Sequence, residues 1–151
     1  MANKKISELT PKAAQLQDDD LLMVSDYNGA TYDTKSITGA NIRPYTTVMF
    51  NISQTSTSAP TKNYSYETEV SQTFTLARLA TGAYTLTASS ALFTSSKTYV
   101  SITLGSGPNG TCVRAERSTS TVIDFGTSDG ATGNFIDSAL TNATLEIKII
   151  K

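Results

Sequence analysis

Along most of this chain, apolar side chains recur at every second position. Val48, Phe50 and Ile52 alternate with polar residues through 46–54, and Leu145, Ile147 and Ile149 do the same through 143–150. A period of two places alternate side chains on one face of a strand, so each stretch reads as a half-buried β-strand. The same pattern predicts strands over 63–70 (Tyr64, Tyr66, Thr68, Val70), 74–79, 84–87, 99–104, 111–117 and 121–125. About eight short strands separated by turn signals is the spacing of an antiparallel sandwich. Residues 55–61 (TSTSAPT) break the alternation and read as a loop, Gly82 marks a turn, and Gly105 to Gly110 (GSGPNG) reads as a hairpin connection. Residues 126–142 are polar and read as a long surface loop with Phe135, Ile136 and Leu140 as anchors.

The pattern before Pro44 is different. Met1 to Lys5 has nothing to anchor it and is expected to order only on a partner. Pro11 pushes Thr10 toward extended angles, 12–17 supports about one turn of helix, and Asp18-Asp19-Asp20 ends it. Leu21 to Ser25 and Ala30 to Lys35 flank Asn28-Gly29, a strong hairpin signal because a type I′ turn requires positive φ at both central residues. Residues 36–42 close the segment as a turn or very short helix, and Arg43-Pro44-Tyr45 reads as the boundary. The expected architecture is therefore mainly β: a small hairpin-containing adaptor, 1–43, followed by an antiparallel β-sandwich-like body, 44–151.

Composition sharpens this picture. The chain has 151 residues, 38% of them hydrophobic, with 18 Ser and 25 Thr. Stiff, β-branched Thr suits strand faces better than helices. The net charge of −1, with Lys4-Lys5 the only adjacent basic pair, argues against a nucleic-acid partner, which would need a clustered basic surface. No apolar run approaches the roughly 20 residues of a membrane-spanning helix, and the first residues lack the apolar core of a signal peptide, so cytoplasmic synthesis without membrane insertion is expected. Cys112 is the only cysteine; it forms no intrachain disulfide and, in an alternating stretch, is expected to be a small buried hydrophobe.

Candidate chemistry is sparse. Without histidine, His-based triads and His-ligated zinc are excluded. Paired carboxylates remain: Asp124 with Asp129 or Asp137, and Glu67 with Glu69, the latter read as a solvated pair on one strand face. Asp18 to Asp20 lacks the ligand spacing of a calcium loop, and Gly105 to Gly110 is no phosphate loop because no Lys-Ser/Thr follows. Four N-x-S/T sequons, at Asn51, Asn63, Asn109 and Asn142, read as chance in a Thr-rich chain. No catalytic residue, cofactor or metal is expected. Tyr64, Tyr66, Tyr84 and Tyr99 present two options: cross-strand packing, or contacts to a bacterial surface glycan through aromatic faces.

Two stretches resemble known families. The order I-S-E-L, spacer, D-x-L-x-V, hairpin, K-x-I-T-x-x-x-I across Ile6 to Ile42 resembles the N-terminal segment of tailed-phage virion appendages, the head and tail fibres. That resemblance implies anchoring to capsid or tail proteins, through Ile6, Leu9, Leu16, Leu21, Leu22, Val24, Tyr32, Ile37 and Ile42, and a homotrimer located in the virion. In the body, I-S-Q-T-x-T-S-A-P-T (Ile52 to Thr61), R-x-x-x-G-x-Y (Arg78 to Tyr84) and F-T-x-x-K-T-Y-V (Phe93 to Val100) are similar to a small β-domain of Bacteroidetes phage and prophage proteins. Leu76 stands where that family often has an aromatic, so no stacking role is expected there. The reading is a non-catalytic short fibre that projects a β body; the alternative is a carbohydrate-binding module. Exposed sheet edges, which subunit packing would cover, point independently to self-association.

Overall fold

A computed structural model describes residues 21–27, 32–38 and 44–151. The chain divides into two compact units, Met1–Pro44 and Tyr45–Lys151. In the first, β1 (Leu21–Tyr27) pairs antiparallel with β2 (Tyr32–Thr38), from Leu21 opposite Thr38 to Tyr27 opposite Tyr32. The Asn28-Gly29 turn, the single helical turn at 12–17, the Asp18 to Asp20 cluster and the closing stretch at 39–42 lie outside the described residues.

The second unit is a sandwich of two antiparallel four-stranded sheets. Its strands are β3 (Tyr45–Ser53), β4 (Thr61–Tyr66), β5 (Phe74–Ala80), β6 (Ala83–Ala88), β7 (Thr98–Thr103), β8 (Thr111–Arg117), β9 (Val122–Asp129) and β10 (Ala143–Ile150). The first sheet runs β4-β3-β10-β7 and the second β5-β6-β9-β8. The alternation at the two ends of the body thus yields the two central strands of one sheet. Ala143 lies opposite Ile52 and Ile150 opposite Tyr45, so the first and last residues of the strand set sit together at one end. We call the opposite end, with the 54–60, 81–82, 104–110 and 130–142 connections, the far end.

Val48, Phe50, Ile52, Leu145 and Ile147 of the first sheet meet Tyr84, Leu86, Ile123 and Phe125 of the second. Each is essentially buried, and burying one such apolar side chain contributes about 1.5–3 kcal/mol. Phe50 and Phe74 pack edge to face at 5.2 Å. Phe93, from the β6–β7 connection, plugs the end near the termini.

Four expectations change. The Gly105 to Gly110 cluster is no hairpin: β7 belongs to the first sheet and β8 to the second, and the segment crosses between them. Its glycine is needed because a Cβ at Gly105 would collide with the Asn142 backbone carbonyl, where Ser106 bridges Thr141. The 126–142 stretch is only partly loop, since β9 continues to Asp129 and Ala139 and Leu140 are fully buried. Glu67 and Glu69 lie beyond the end of β4, each occupied: Lys62 Nζ donates to Glu67 at 2.9 Å, and Thr47 N donates to Glu69 at 2.9 Å. Cys112 is exposed rather than buried. It shares its parity with Arg114 and Glu116, while Val113 and Ala115 take the inner face. The charges, not the cysteine, set the phase of that strand.

The edges are managed within the chain. A bulge at Asn63 turns Lys62 inward, its Nζ 5.1 Å from the Phe50 ring. A second bulge interrupts β5 between Arg78 and Ala80. Arg78 on β5 and Arg117 on β8 also have inward parity, opposite the buried Tyr84 and Ile123. β7 runs beside β8 at one side of the sandwich. Bulges and inward charges are devices that keep an edge from pairing with another chain. Edge exposure therefore lends no support of its own to self-association.

Candidate functional site

Two of the body motifs converge at the far end. The β5–β6 hairpin carries R-x-x-x-G-x-Y, and all three of its defining residues donate to one carboxylate, Asp137. Arg78 reaches it with Nε at 3.1 and 3.2 Å and Nη2 at 2.6 Å, the Gly82 backbone N–H at 3.0 Å and the Tyr84 hydroxyl at 2.9 Å. Gly82 fits because its φ is +62° and a Cβ would strike the Thr127 and Ile136 backbone. Gln54, from I-S-Q-T, completes the knot: its Oε1 accepts the Ser138 N–H, and its Nε2 donates to the Ser56 and Ser58 carbonyls. Ser56 and Ser138, both at positive φ, are tied by a 2.7 Å bond from Ser56 N to Ser138 Oγ.

The electrostatics follow from this geometry. The Arg78 guanidinium, against the cost of burial and with help from Gly82 N–H and the Tyr84 hydroxyl, holds Asp137 down at about 2. Its partner Arg78 is raised by the same bond. Burial, which disfavours the phenolate, pushes Tyr84 up to about 12. The knot is thus an ionised carboxylate surrounded by donors with a neutral phenol inside. Asp137 retains no role as a free base, and Asp129 is likewise engaged: its Oδ1 accepts from Ala131 N, Thr132 N and Thr132 Oγ1, which lowers its pKa. Asp124 lies on β9 between Glu116 and Thr85, on the opposite parity from Asp129.

Tyr84 therefore leaves the group in which its sequence pattern placed it. It is 1% exposed, with its ring 5.5 Å from Phe125, and it cannot stack on an external sugar. The other three tyrosines share one surface. Tyr64 and Tyr66 on β4 pair with Asn51 and Met49, and Tyr99 on β7 pairs with Lys148, all on the outer face of the first sheet. They are 66, 37 and 61% exposed. Tyr45 and Ile150 extend the same face toward the termini. Beside Tyr99 lies a groove of about 390 Å³ lined also by Val100, Ser101, Glu146 and Lys148. Lys148 and Glu146 form an ion pair at 3.2 Å.

Sequence reading missed one feature of this face. Three of the four sequon asparagines meet there: Asn63 Nδ2 donates to Asn51 Oδ1 at 3.0 Å and Asn142 Oδ1 at 3.1 Å, and Asn51 Nδ2 to the Asn142 carbonyl. The spacing of sequons carries no signal for such a cluster, which arises from a bulge and a pairing between the body's two ends.

Of the residues expected to anchor the N-terminal segment, Leu21, Leu22 and Val24 lie on β1 and Tyr32 and Ile37 on β2, with Leu22 opposite Ile37. Ile6, Leu9, Leu16 and Ile42 lie outside the described residues. Among the described residues no three carboxylate or thiol groups gather as metal ligands, and no helix is long and apolar enough to cross a membrane. No family model, no curated protein and no solved structure matches this chain.

Proposed function

We propose that this chain is a non-catalytic virion appendage of a tailed phage, a short head or tail fibre held to capsid or tail proteins by residues 1–43 and projecting the β body. The observation that carries this reading is the Asp137 knot. Asp137 and Tyr84, read from the sequence as candidates for chemistry or ligand contact, are consumed together with Arg78 and Gly82 in holding one end of the body together. Such a lock suits a scaffold that displays its surfaces, and a carboxylate engaged by three donor groups is not free to take a proton from a substrate. The topology supports the reading too. The chain passes into the body at the end where Tyr45 and Ile150 pair, which leaves the far end and the outer sheet faces for display. The homotrimer rests on the family resemblance.

Removal of residues 1–43 tests the anchor. The expected product unfolds cooperatively yet is absent from purified particles; incorporation equal to that of the full chain would overturn the reading. Light scattering of the full chain tests the trimer, and a monomer at high concentration would remove it.

A further inference from the structure

The outer faces of the two sheets are unlike. Of seven large apolar side chains exposed in the body, five (Tyr45, Tyr64, Tyr66, Tyr99 and Ile150) lie on the outer face of the first sheet. Tyr64 and Tyr66 stand on one edge strand and Tyr99 on the other. Three interstrand steps separate them, roughly 14 Å. Between them the two central strands carry Asn51 and Thr144 in one row, Met49 and Glu146 in the next and Thr47 and Lys148 in the third. The face is polar there apart from the half-buried Met49, and Glu146 and Lys148 form an ion pair. A protein–protein interface has the reverse anatomy, an apolar centre inside a polar rim.

We infer that this face is a platform for an uncharged oligosaccharide lying across the strands, with sugar rings stacked on Tyr99 at one edge and on Tyr64 or Tyr66 at the other. A pyranose ring offers an apolar C–H face to an aromatic ring and hydroxyls at its rim, so it suits aromatic ends and a hydrogen-bonding centre. The groove next to Tyr99 brings Ser101, Glu146 and Lys148 to one ring edge, which supplies both acceptors and donors for hydroxyls. Because Glu146 and Lys148 neutralise each other, the centre favours neither an anionic nor a cationic glycan. This inference stands on the body alone and does not depend on the appendage reading.

The test uses the full chain and three probes: the linear hexasaccharides of β-1,4-glucose, α-1,6-mannose and β-1,4-N-acetylglucosamine. Titration calorimetry measures affinity, and saturation-transfer NMR, irradiating tyrosine ring protons, locates the contact. At least one probe is expected to bind, at least tenfold more weakly to Tyr99→Ala and to Tyr64→Ala, and unchanged to Glu116→Ala on the other sheet. Both tyrosines point outward, so both variants retain the fold, which thermal unfolding verifies. Absence of binding by all three probes at millimolar concentration would overturn the inference, as would binding indifferent to both tyrosine substitutions. A self-association abolished by Tyr99→Ala would overturn it in favour of a second copy.

Discussion

The two sheets solve the same packing problem with different chemistry. On its two central strands the first sheet buries Val48, Phe50, Ile52, Ala143, Leu145 and Ile147, and keeps its amides, the Glu146–Lys148 ion pair and its tyrosines outside. The second sheet places polar groups on its inner face, with the Tyr84 hydroxyl, Thr127 and Arg78 at the far end, and shows an outer face of Thr, Asp, Arg and Glu. The contrast separates two sources of stability. Burial holds the first sheet and should be indifferent to pH, because apolar transfer involves no titrating group. The far end of the second sheet is held by charge-assisted bonds, which are strong but depend on the protonation of their members.

Substitutions can sharpen that contrast. The largest loss is expected for Phe50→Ala, about 3–5 kcal/mol, measured by urea denaturation, and it should be the same at pH 5 and pH 8. Asp137→Ala should follow, since it takes the carboxylate from the Arg78 guanidinium and leaves the Tyr84 hydroxyl only the longer bond to Gln54 Oε1, at 3.3 Å. That variant also tests the acid limb. Asp137 sits at about 2 rather than its ordinary 3.8, so its contribution is complete above pH 4 and disappears as pH falls through 2. Unfolding temperature measured against pH should lose this drop in Asp137→Ala; an unaltered acid limb would refute the role of the carboxylate.

Tyr84→Phe removes one charge-assisted bond and should cost about 1.5–3 kcal/mol. Its alkaline limb has the opposite sign. Burial raises Tyr84 from 10.0 to about 12, so the contribution is complete below pH 10 and fades as pH rises through 12. The Phe variant should lack that fade. The smallest effect is expected on the outer face of the first sheet. Asn63→Ala breaks exposed amide bonds that compete with water and should cost about 0.5–1 kcal/mol, again measured by urea denaturation. A cost matching that of Tyr84→Phe would mean that the outer amides are as important as the inner knot.

Much of this architecture was legible in the chain itself. Period-two alternation located every strand of the body to within a few residues, because a strand half-buried in a sandwich must alternate. β8 shows how far that logic extends and where attention to one residue misleads. The cysteine invited a buried reading, yet Arg114 and Glu116, two and four positions on, already determined which face it takes. Reading parity from the charges would have found it. Tyr84 shows the limit. Nothing in its own strand distinguishes it from Tyr64 or Tyr99; what separates them is which face of which sheet they occupy and what waits there.

Local order along the chain therefore determined the strands, their turns and the phase of most faces, since those follow from backbone geometry and side-chain character over a few residues. Only the tertiary structure decided the partners. Asp137 stands 59 residues from Arg78, and Asn142 stands 91 from Asn51. Neither contact has a local signature, because each forms only once β10 pairs with β3 and the 130–142 segment folds over the far end. The knot and the tyrosine platform are both products of that closure.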